Sequence, residues 1–299
     1  MVSPVPVWNA TRRDVLDRFQ GVVEAQVRVD GVKKMVRTEA VSTILHQLAE
    51  MSAEIFSYLA RNFDDETRRL CCLFHHSWML ENLCADRVHE MLIKKPPIWS
   101  ENMGEHRYVA ALHMERFVSR EGELSLELFF DRKMICVGSF SFLPARLFGL
   151  EGAEVLLVSR IQGGKERIDD IRLATKTMSD VAPRAVIFAL LTGIARAVGV
   201  NHVIAVSAEN HADFVPLHSE ALHQQYDDFY LALGAVGPQN GFYIYDVAAA
   251  KKPLNAQKVG HRVRTRRKRQ LKEKISDAAK DSFSSWLCRN PEPPAPGGG

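Results

Sequence analysis

The stretch VLLVSRIQGGKERIDDIRLATKTM, residues 155–178, decides how the second half of the chain folds. An apolar run ends at Gly163-Gly164 and passes into a charged segment with helical character. Two interpretations stay open. The glycines let backbone N–H groups approach a phosphate-bearing ligand, or they form a plain turn between a strand and a helix. A bare Gly-Gly favours the turn, and the absence of a Ser or Thr after Lys165 excludes a P-loop.

The composition is that of a globular protein. The chain has 299 residues, of which 46% are hydrophobic and 25% charged, enough to bury a sizeable core. The sequence contains no run of about 18 apolar residues, and its first residues lack the apolar centre of a signal peptide. Five cysteines without framework spacing favour reduced thiols. We therefore expect a cytoplasmic protein, with peripheral attachment to the inner membrane as the alternative.

Basic charge is concentrated in one segment. Residues 258–274 carry a net charge of +8, whereas the whole chain carries +3, so the remainder carries −5. This asymmetry predicts a basic interaction arm, and the Pro/Gly-rich end after it is typical of disorder.

The order of predicted elements indicates an α+β fold. Helical periodicity covers residues 35–94, and Pro96-Pro97 ends it. Strands are then predicted at 113–118, 124–130, 134–143, 154–161, 202–207 and 241–247, and helices at 168–178, 184–197 and 221–233. We therefore predict a central mixed, largely antiparallel sheet flanked by helices. The predicted divisions are a helical section at 1–107, a sheet domain at 108–250, and the basic arm with its tail at 251–299.

This order of elements resembles the N-acetyltransferase-like fold. That fold has antiparallel strands, a strand ending in a Gly-containing loop, a long helix, and then a strand, a helix and a strand. The resemblance implies that Gly163 and Gly164 approach the pyrophosphate of an acyl-CoA. RIQGG is shorter than the usual motif of that family, so the plain turn stays an alternative.

A second resemblance rests on an ordered set of motifs between residues 138 and 246. They are GSFSF (138–142), RIQGG (160–164), Thr175-Lys176, Pro183, AVGVNHVIAVSAENHA (197–212), YDDFY (226–230) and NGFYIYD (240–246). Together they resemble the VirK/YbjX family of bacterial proteins. The resemblance implies a role in virulence or in adaptation of the Gram-negative envelope, and it implies no defined reaction.

Five residues are candidates for binding the donor. Arg160 and Gln162 share one side of a predicted strand, and the Arg fork could hold a phosphate or carboxylate. Gly163 and Gly164 follow them, and Lys176 could add a second cation. The alternative for Arg160 is an ion pair with Asp169 or Asp170 across the turn, and for Lys176 a solvated helix position.

Three residues are candidates for catalysis. Glu209 and His211 follow a predicted strand, where ligands gather in such sheets, and either could act as a general base. The resemblance to acyltransferases implies that a Tyr of the helix before the last strand protonates the departing thiolate; we choose Tyr226, and Tyr230 is also placed for this role. The alternatives are a polar surface loop for the first two and core packing for Tyr226, because residues 226, 229, 230 and 233 form an apolar stripe.

Metal-capable side chains cluster on one predicted helix. They are Cys71, Cys72, His75, His76, Cys84 and His89. The paired CxxC spacing of a typical zinc site is missing, so we favour a helical interior and predict no metal.

The sequence leaves two classes of function open. The first is an acyltransferase that moves an acyl group from a CoA or carrier thioester, its cosubstrate, to an amine or hydroxyl of a small molecule or envelope precursor. No tightly bound cofactor is expected. The second is an accessory or regulatory protein whose residues 258–274 contact an anionic membrane or nucleic acid. The oligomeric state is not predicted.

Overall fold

The structure, a computed structural model, describes residues 58–114, 121–249 and 259–288. Seven α-helices lie within these residues: α1 (Asp65–Asn82), α2 (Ala85–Ile93), α3 (Ile168–Thr177), α4 (Pro183–Val198), α5 (Ser219–Gln225), α6 (Asp227–Leu233) and α7 (Val259–Ser284). The eight strands are β1 (Pro97–Met103), β2 (His106–Met114), β3 (Leu124–Phe130), β4 (Lys133–Pro144), β5 (Glu154–Gly163), β6 (His202–Val206), β7 (Val236–Gln239) and β8 (Phe242–Asp246).

The strands form one mixed sheet in the order β1-β2-β3-β4-β5-β6-β8-β7. Every neighbouring pair is antiparallel except β5 and β6, which are parallel. Helices α3 and α4 connect these two strands, as a parallel pair requires a long crossover. The predicted α+β class with a central, largely antiparallel sheet is confirmed.

Both faces of the sheet are covered at its centre. Helix α4 packs on one face, where a Cβ at Gly138 of β4 would lie only 2.5 Å from the side chain of Ile187. The opposite face packs against α1 and the residues before it, through Phe63, Cys71 and Leu157. Because both faces are buried, β5 has the continuous apolar run that is typical of such strands.

Helix α1 begins at Asp64, whose side chain accepts a hydrogen bond from the backbone N–H of Thr67. It packs beside β4 beyond the end of β3. The backbone N–H of Phe142 there donates to Nδ1 of His75 over 3.0 Å. The helix thus satisfies a donor of β4 at a position where β4 pairs with β5 but β3 does not extend beside it.

The basic segment is built into the fold, which differs from the predicted separate arm. Residues 259–284 form helix α7, and its second half buries Ile275, Ala279 and Phe283 against α4. Gly193 of α4 permits this contact, since a Cβ there would lie 2.2 Å from the carbonyl oxygen of Ser276. Only the first half of α7 is mainly exposed.

The sheet begins earlier than predicted. Strand β1 starts at Pro97, so the predicted boundary at 107/108 falls inside β2. This edge strand was not predicted because Ser100-Glu101-Asn102 is a polar run. An edge strand tolerates such residues, since it is only partly covered by other elements. The short strand β7 was also missed, and the helix predicted at 221–233 is divided at Tyr226. The helices predicted before residue 58, the strand end at 115–118 and the tail after 288 lie outside the described residues.

Within the described part of the chain, every helix is too short or too polar to cross a membrane.

Candidate functional site

The parallel strands β5 and β6 diverge, and polar side chains collect where they part. The two strands pair only between residues 156–158 of β5 and 203–205 of β6. Strand β5 continues to Gly163 beside β4, whereas β6 ends at Val206 and enters a turn. Arg160, His211 and Tyr226 lie near this opening, and Arg160 is close enough to lower the pKa of both His211 and Tyr226.

Arg160 forms an ion pair with Glu121 through Nη1 and Oε2. The two side chains are 19% and 13% exposed, so the pair lies near the surface of the opening without being solvated like a surface pair. The Nε of Arg160 is buried and has no hydrogen-bond partner among the described residues. The alternative partners Asp169 and Asp170 are wrong, because they pair with Arg172 and Lys133.

His211 is 3% exposed and fixed in one tautomer. Its Nδ1 lies 3.1 Å from the backbone nitrogen of Asp213, which donates to it. A neutral imidazole that accepts at Nδ1 carries its proton on Nε2, and this Nε2 is buried without a partner among the described residues. Burial lowers the pKa of His211, Asp213 raises it in part, and Arg160 lowers it further. His211 is therefore a neutral side chain with a buried hydrogen-bond donor at Nε2.

Tyr226 stacks near His211, with 4.6 Å between the ring centroids. It is 2% exposed, and burial together with the negative charge of Glu121 raises its pKa, so the phenol keeps its proton at neutral pH. Tyr230, one turn further along α6, is buried with an unpartnered hydroxyl, and Phe229 and Leu233 are half-buried. The apolar stripe is thus core, as the packing alternative required, and Tyr226 is at the same time part of the polar cluster.

Three other candidates stay apart from the cluster. Glu209 is exposed, and its backbone carbonyl accepts a hydrogen bond from Arg61 over 3.3 Å. Lys176 is exposed in the last turn of α3. Gln162 is half-buried opposite Val137 of β4.

The glycine pair makes a strand-to-helix turn. The N–H of Gly164 donates to the carbonyl of Ile135 over 3.2 Å, and its own carbonyl accepts from the N–H of Arg167 over 3.1 Å. A Cβ at Gly163 would come within 3.2 Å of Ile171 on α3. The N–H of Gly164 is therefore occupied, and the pair serves the close packing of α3 on the end of β5. In this conformation the N–H of Gly164 is not available to a ligand, and the approach of Gly163 and Gly164 to a pyrophosphate stays a prediction.

Sequence reasoning missed Glu121 and Asp213. Glu121 lies between two predicted strands, and no sequence period connects it with Arg160. Asp213 acts through its backbone N–H, which carries no residue-specific signal. Only the register of β4 with β5 and the path of the turn after β6 bring these groups together.

The fold and this cluster define an α+β protein with a buried polar site at the parting of two parallel strands. The chain belongs to the family described as "Protein of unknown function (DUF535)", whose model matches residues 18–281. The match covers the helical section, the sheet and most of α7, well beyond the motifs at 138–246. Comparison with curated proteins and with solved structures finds no significant match.

Proposed function

We propose that the protein transfers an acyl group from a CoA or carrier thioester to an amine or hydroxyl, using the opening between β5 and β6. The observation that carries the proposal is the convergence of Arg160, His211 and Tyr226 there. His211 and Tyr226 are nearly buried, and the Nε2–H of His211 has no hydrogen-bond partner among the residues that the structure describes. A buried donor without a partner is costly, and a substrate oxygen would satisfy it.

The order of elements supports the same proposal. Antiparallel strands lead to β5, a glycine turn follows, and then come the short helix α3, the long helix α4, β6, two short helices and the β7–β8 pair. Apart from α3, this order resembles that of the N-acetyltransferase-like fold. The further resemblance to the VirK/YbjX family extends the proposal to bacterial envelope adaptation or virulence, with the acceptor an envelope precursor or small molecule.

In the proposed reaction each residue of the cluster has a separate role. The acceptor nitrogen or oxygen bonds to the thioester carbonyl carbon, and the carbon–sulfur bond breaks. The Nε2–H of His211 donates to the carbonyl oxygen as negative charge develops on it. Tyr226 gives its proton to the departing thiolate and is reprotonated through solvent, which takes the proton lost by the acceptor. Arg160 would bind a carboxylate or phosphate of a substrate in place of Glu121.

A matched pair of tyrosine variants tests the proposal. Purified protein is given a panel of acyl-CoAs and acyl-carrier thioesters with amine and hydroxyl acceptors, and release of free thiol is followed. We expect one donor class to turn over, and Tyr226→Phe to lower the rate about 10²–10⁴-fold. Tyr230→Phe, on the same helix and equally buried, is expected to keep the rate. Equal rates for both variants, or no thiol release and no change in melting temperature with any thioester, would contradict the proposal.

A second candidate function has its own observation in helix α7. Arg262, Arg264, Arg266 and Arg267 are exposed on its first half. Beside them, α4, α6, β8 and α7 enclose a cleft of about 650 Å³ with apolar side chains such as Phe188 on its walls and cations on its rim: Arg196, Lys268, Arg269 and Lys272. Apolar walls with a cationic rim suit an anionic amphiphile, and they favour peripheral contact with an anionic membrane over nucleic acid.

Charge reversal on α7 tests this second function. We expect wild-type protein to co-sediment with vesicles that contain anionic lipid and to be released by salt. The double variant R266E/R267E is expected to lose that binding, whereas R172E, which reverses an exposed cation on α3, is expected to retain it. Binding that persists in the double variant, or a preference for nucleic acid over vesicles, would overturn this assignment.

A further inference from the structure

A second polar cluster lies in the interior, remote from solvent. Cys72 and His76 stand one turn apart on α1, and Glu123 reaches them from the start of β3. One ligand atom from each lies within 4.8 Å of the other two. Cys72 and His76 are fully buried, and Glu123 is 3% exposed.

Hydrogen bonding accounts for part of this cluster and leaves His76 unexplained. Glu123 accepts hydrogen bonds from the hydroxyls of Tyr58 and Ser141, the latter over 3.0 Å. Cys72 contacts both Glu123 and Tyr58. Both ring nitrogens of His76, however, are buried and have no hydrogen-bond partner among the described residues. A neutral imidazole has one N–H donor and one nitrogen that accepts through a lone pair. Both are normally hydrogen-bonded or bound to a metal when buried, so His76 lacks a polar partner.

The three side chains have the chemistry of a zinc site. Thiolate, imidazole and carboxylate are the protein ligands that Zn²⁺ takes, and three of them leave a fourth position for another oxygen. A thiolate and a carboxylate together carry two negative charges, so a divalent ion would make the buried cluster neutral. The hydroxyls of Tyr58 and Ser141 already hold the carboxylate in place, as outer partners of metal ligands do.

We propose that Cys72, His76 and Glu123 bind one divalent transition-metal ion of the zinc type. The ion would join α1 to the segment 121–123, where Gly122 has a φ of +107° and a Cβ would lie 2.7 Å from Oγ of Ser141. Because Glu121 of the same segment pairs with Arg160, the ion would also fix that pair. The site needs no acyl-transfer activity and stands on its own observations.

Metal content and a thiolate-specific spectrum test the proposal. Full-length protein without a histidine tag is equilibrated with Zn²⁺, freed of excess metal and measured by elemental analysis. We expect one zinc per chain in wild type and in Cys71→Ser, and a loss of at least about tenfold in affinity in Cys72→Ser and His76→Gln. Cys71 is the matched control because it is the neighbouring, equally buried thiol.

Co²⁺ distinguishes binding at Cys72 from binding elsewhere. The cobalt-loaded protein is expected to show thiolate-to-cobalt charge-transfer absorption in wild type and Cys71→Ser and none in Cys72→Ser. If Cys72→Ser does not fold, a chelator titration of wild type still decides, since removing the ion should lower the melting temperature. Wild-type protein that retains no zinc and gives no charge-transfer band, or a band that survives Cys72→Ser, would overturn the proposal.

Discussion

The segment 121–123 lies between two polar clusters that differ in how their charged groups are compensated. The open cluster consists of Arg160, His211 and Tyr226, and the buried cluster consists of Cys72, His76 and Glu123. On one side, Glu121 meets the permanent charge of Arg160 at an opening that solvent reaches. On the other, Glu123 is surrounded by neutral donors, Tyr58, Cys72 and Ser141, in the interior. The pKa of Glu123 is raised by burial and lowered in part by these hydrogen bonds. The proposed substrate would replace the ion-pair partner at the first cluster, whereas the metal ion proposed for the second would be bound by side chains that are already buried.

The largest effect is expected at the open cluster. Changing His211 to Phe keeps an aromatic ring against Tyr226 and removes the Nε2–H, so the developing charge on the thioester oxygen loses a donor. We expect kcat for acyl transfer to fall about 10²–10³-fold. The measurement is thiol release at saturating donor, with the melting temperature as a check on folding. A fall in kcat that is matched by a comparable loss of folded protein would instead make His211 a packing residue.

Acid should unfold the protein mainly through its buried histidines. Burial lowers the pKa of His75 and His211, and it lowers that of His76 to about 3. Unfolded imidazole binds a proton near pH 6.5, so each group stabilises the fold above that pH and loses its contribution as pH falls toward the native pKa. The pKa of Glu123 is raised, so the contribution of this carboxyl to stability falls as pH rises above its ordinary pKa. This partly offsets the pH dependence that the histidines cause.

We expect the unfolding free energy of metal-free protein to fall below about pH 6.5 by up to about 1.4 kcal/mol per pH unit for each histidine. Urea denaturation at a series of pH values measures this slope. His211→Gln should remove the share of one histidine, whereas substitution of the exposed His223 serves as the control. A slope that is the same in wild type and His211→Gln would show that His211 is protonated in the native state.

Part of this arrangement was predictable from sequence. The motifs at 160–164 and 226–230 and the strand before His211 identified three members of the open cluster, since strand ends and helix starts are readable from local pattern. The partners were not readable. Glu121 precedes β3 and Arg160 lies on β5, so only the tertiary structure brings the two side chains together. The apolar stripe of α7 was obscured by the charges around it, although Ile275, Ala279 and Phe283 recur at helical spacing.

The association of Cys72, His76 and Glu123 was harder to predict from sequence. The i, i+4 spacing of Cys72 and His76 was visible, but it is common in helix interiors. The third ligand, Glu123, lies in a different element, so only tertiary contacts place it there. A metal site with one ligand pair on a helix and one distant carboxylate leaves little trace in a single sequence.

A smaller effect is expected when the Arg160–Glu121 pair is broken. Arg160→Met removes the cation beside the Glu121 carboxylate, which is less than one-fifth exposed, and we expect a loss of about 1–3 kcal/mol, between surface and buried pairs. Glu121→Gln in the same chain should recover part of this loss. Denaturant melts of the two single variants and the double variant measure the coupling. Additive single effects would mean that the two charges do not stabilise each other in solution.

The smallest effects are expected at Glu209 and Lys176, the exposed candidates that lie outside the open cluster. Both side chains are exposed and outside the cluster. If the base role belonged to Glu209, its removal would cost as much as removal of His211. We expect Glu209→Gln and Lys176→Ala to change stability by less than about 0.5 kcal/mol and the rate by no more than about twofold. Thiol release and melting temperature measure both. A large loss of rate in Glu209→Gln alone would make Glu209, and not solvent, the base that takes the acceptor's proton, while His211 would keep its role as a hydrogen-bond donor. A carboxylate that acts from outside the cluster would then have to swing toward the acceptor as it binds.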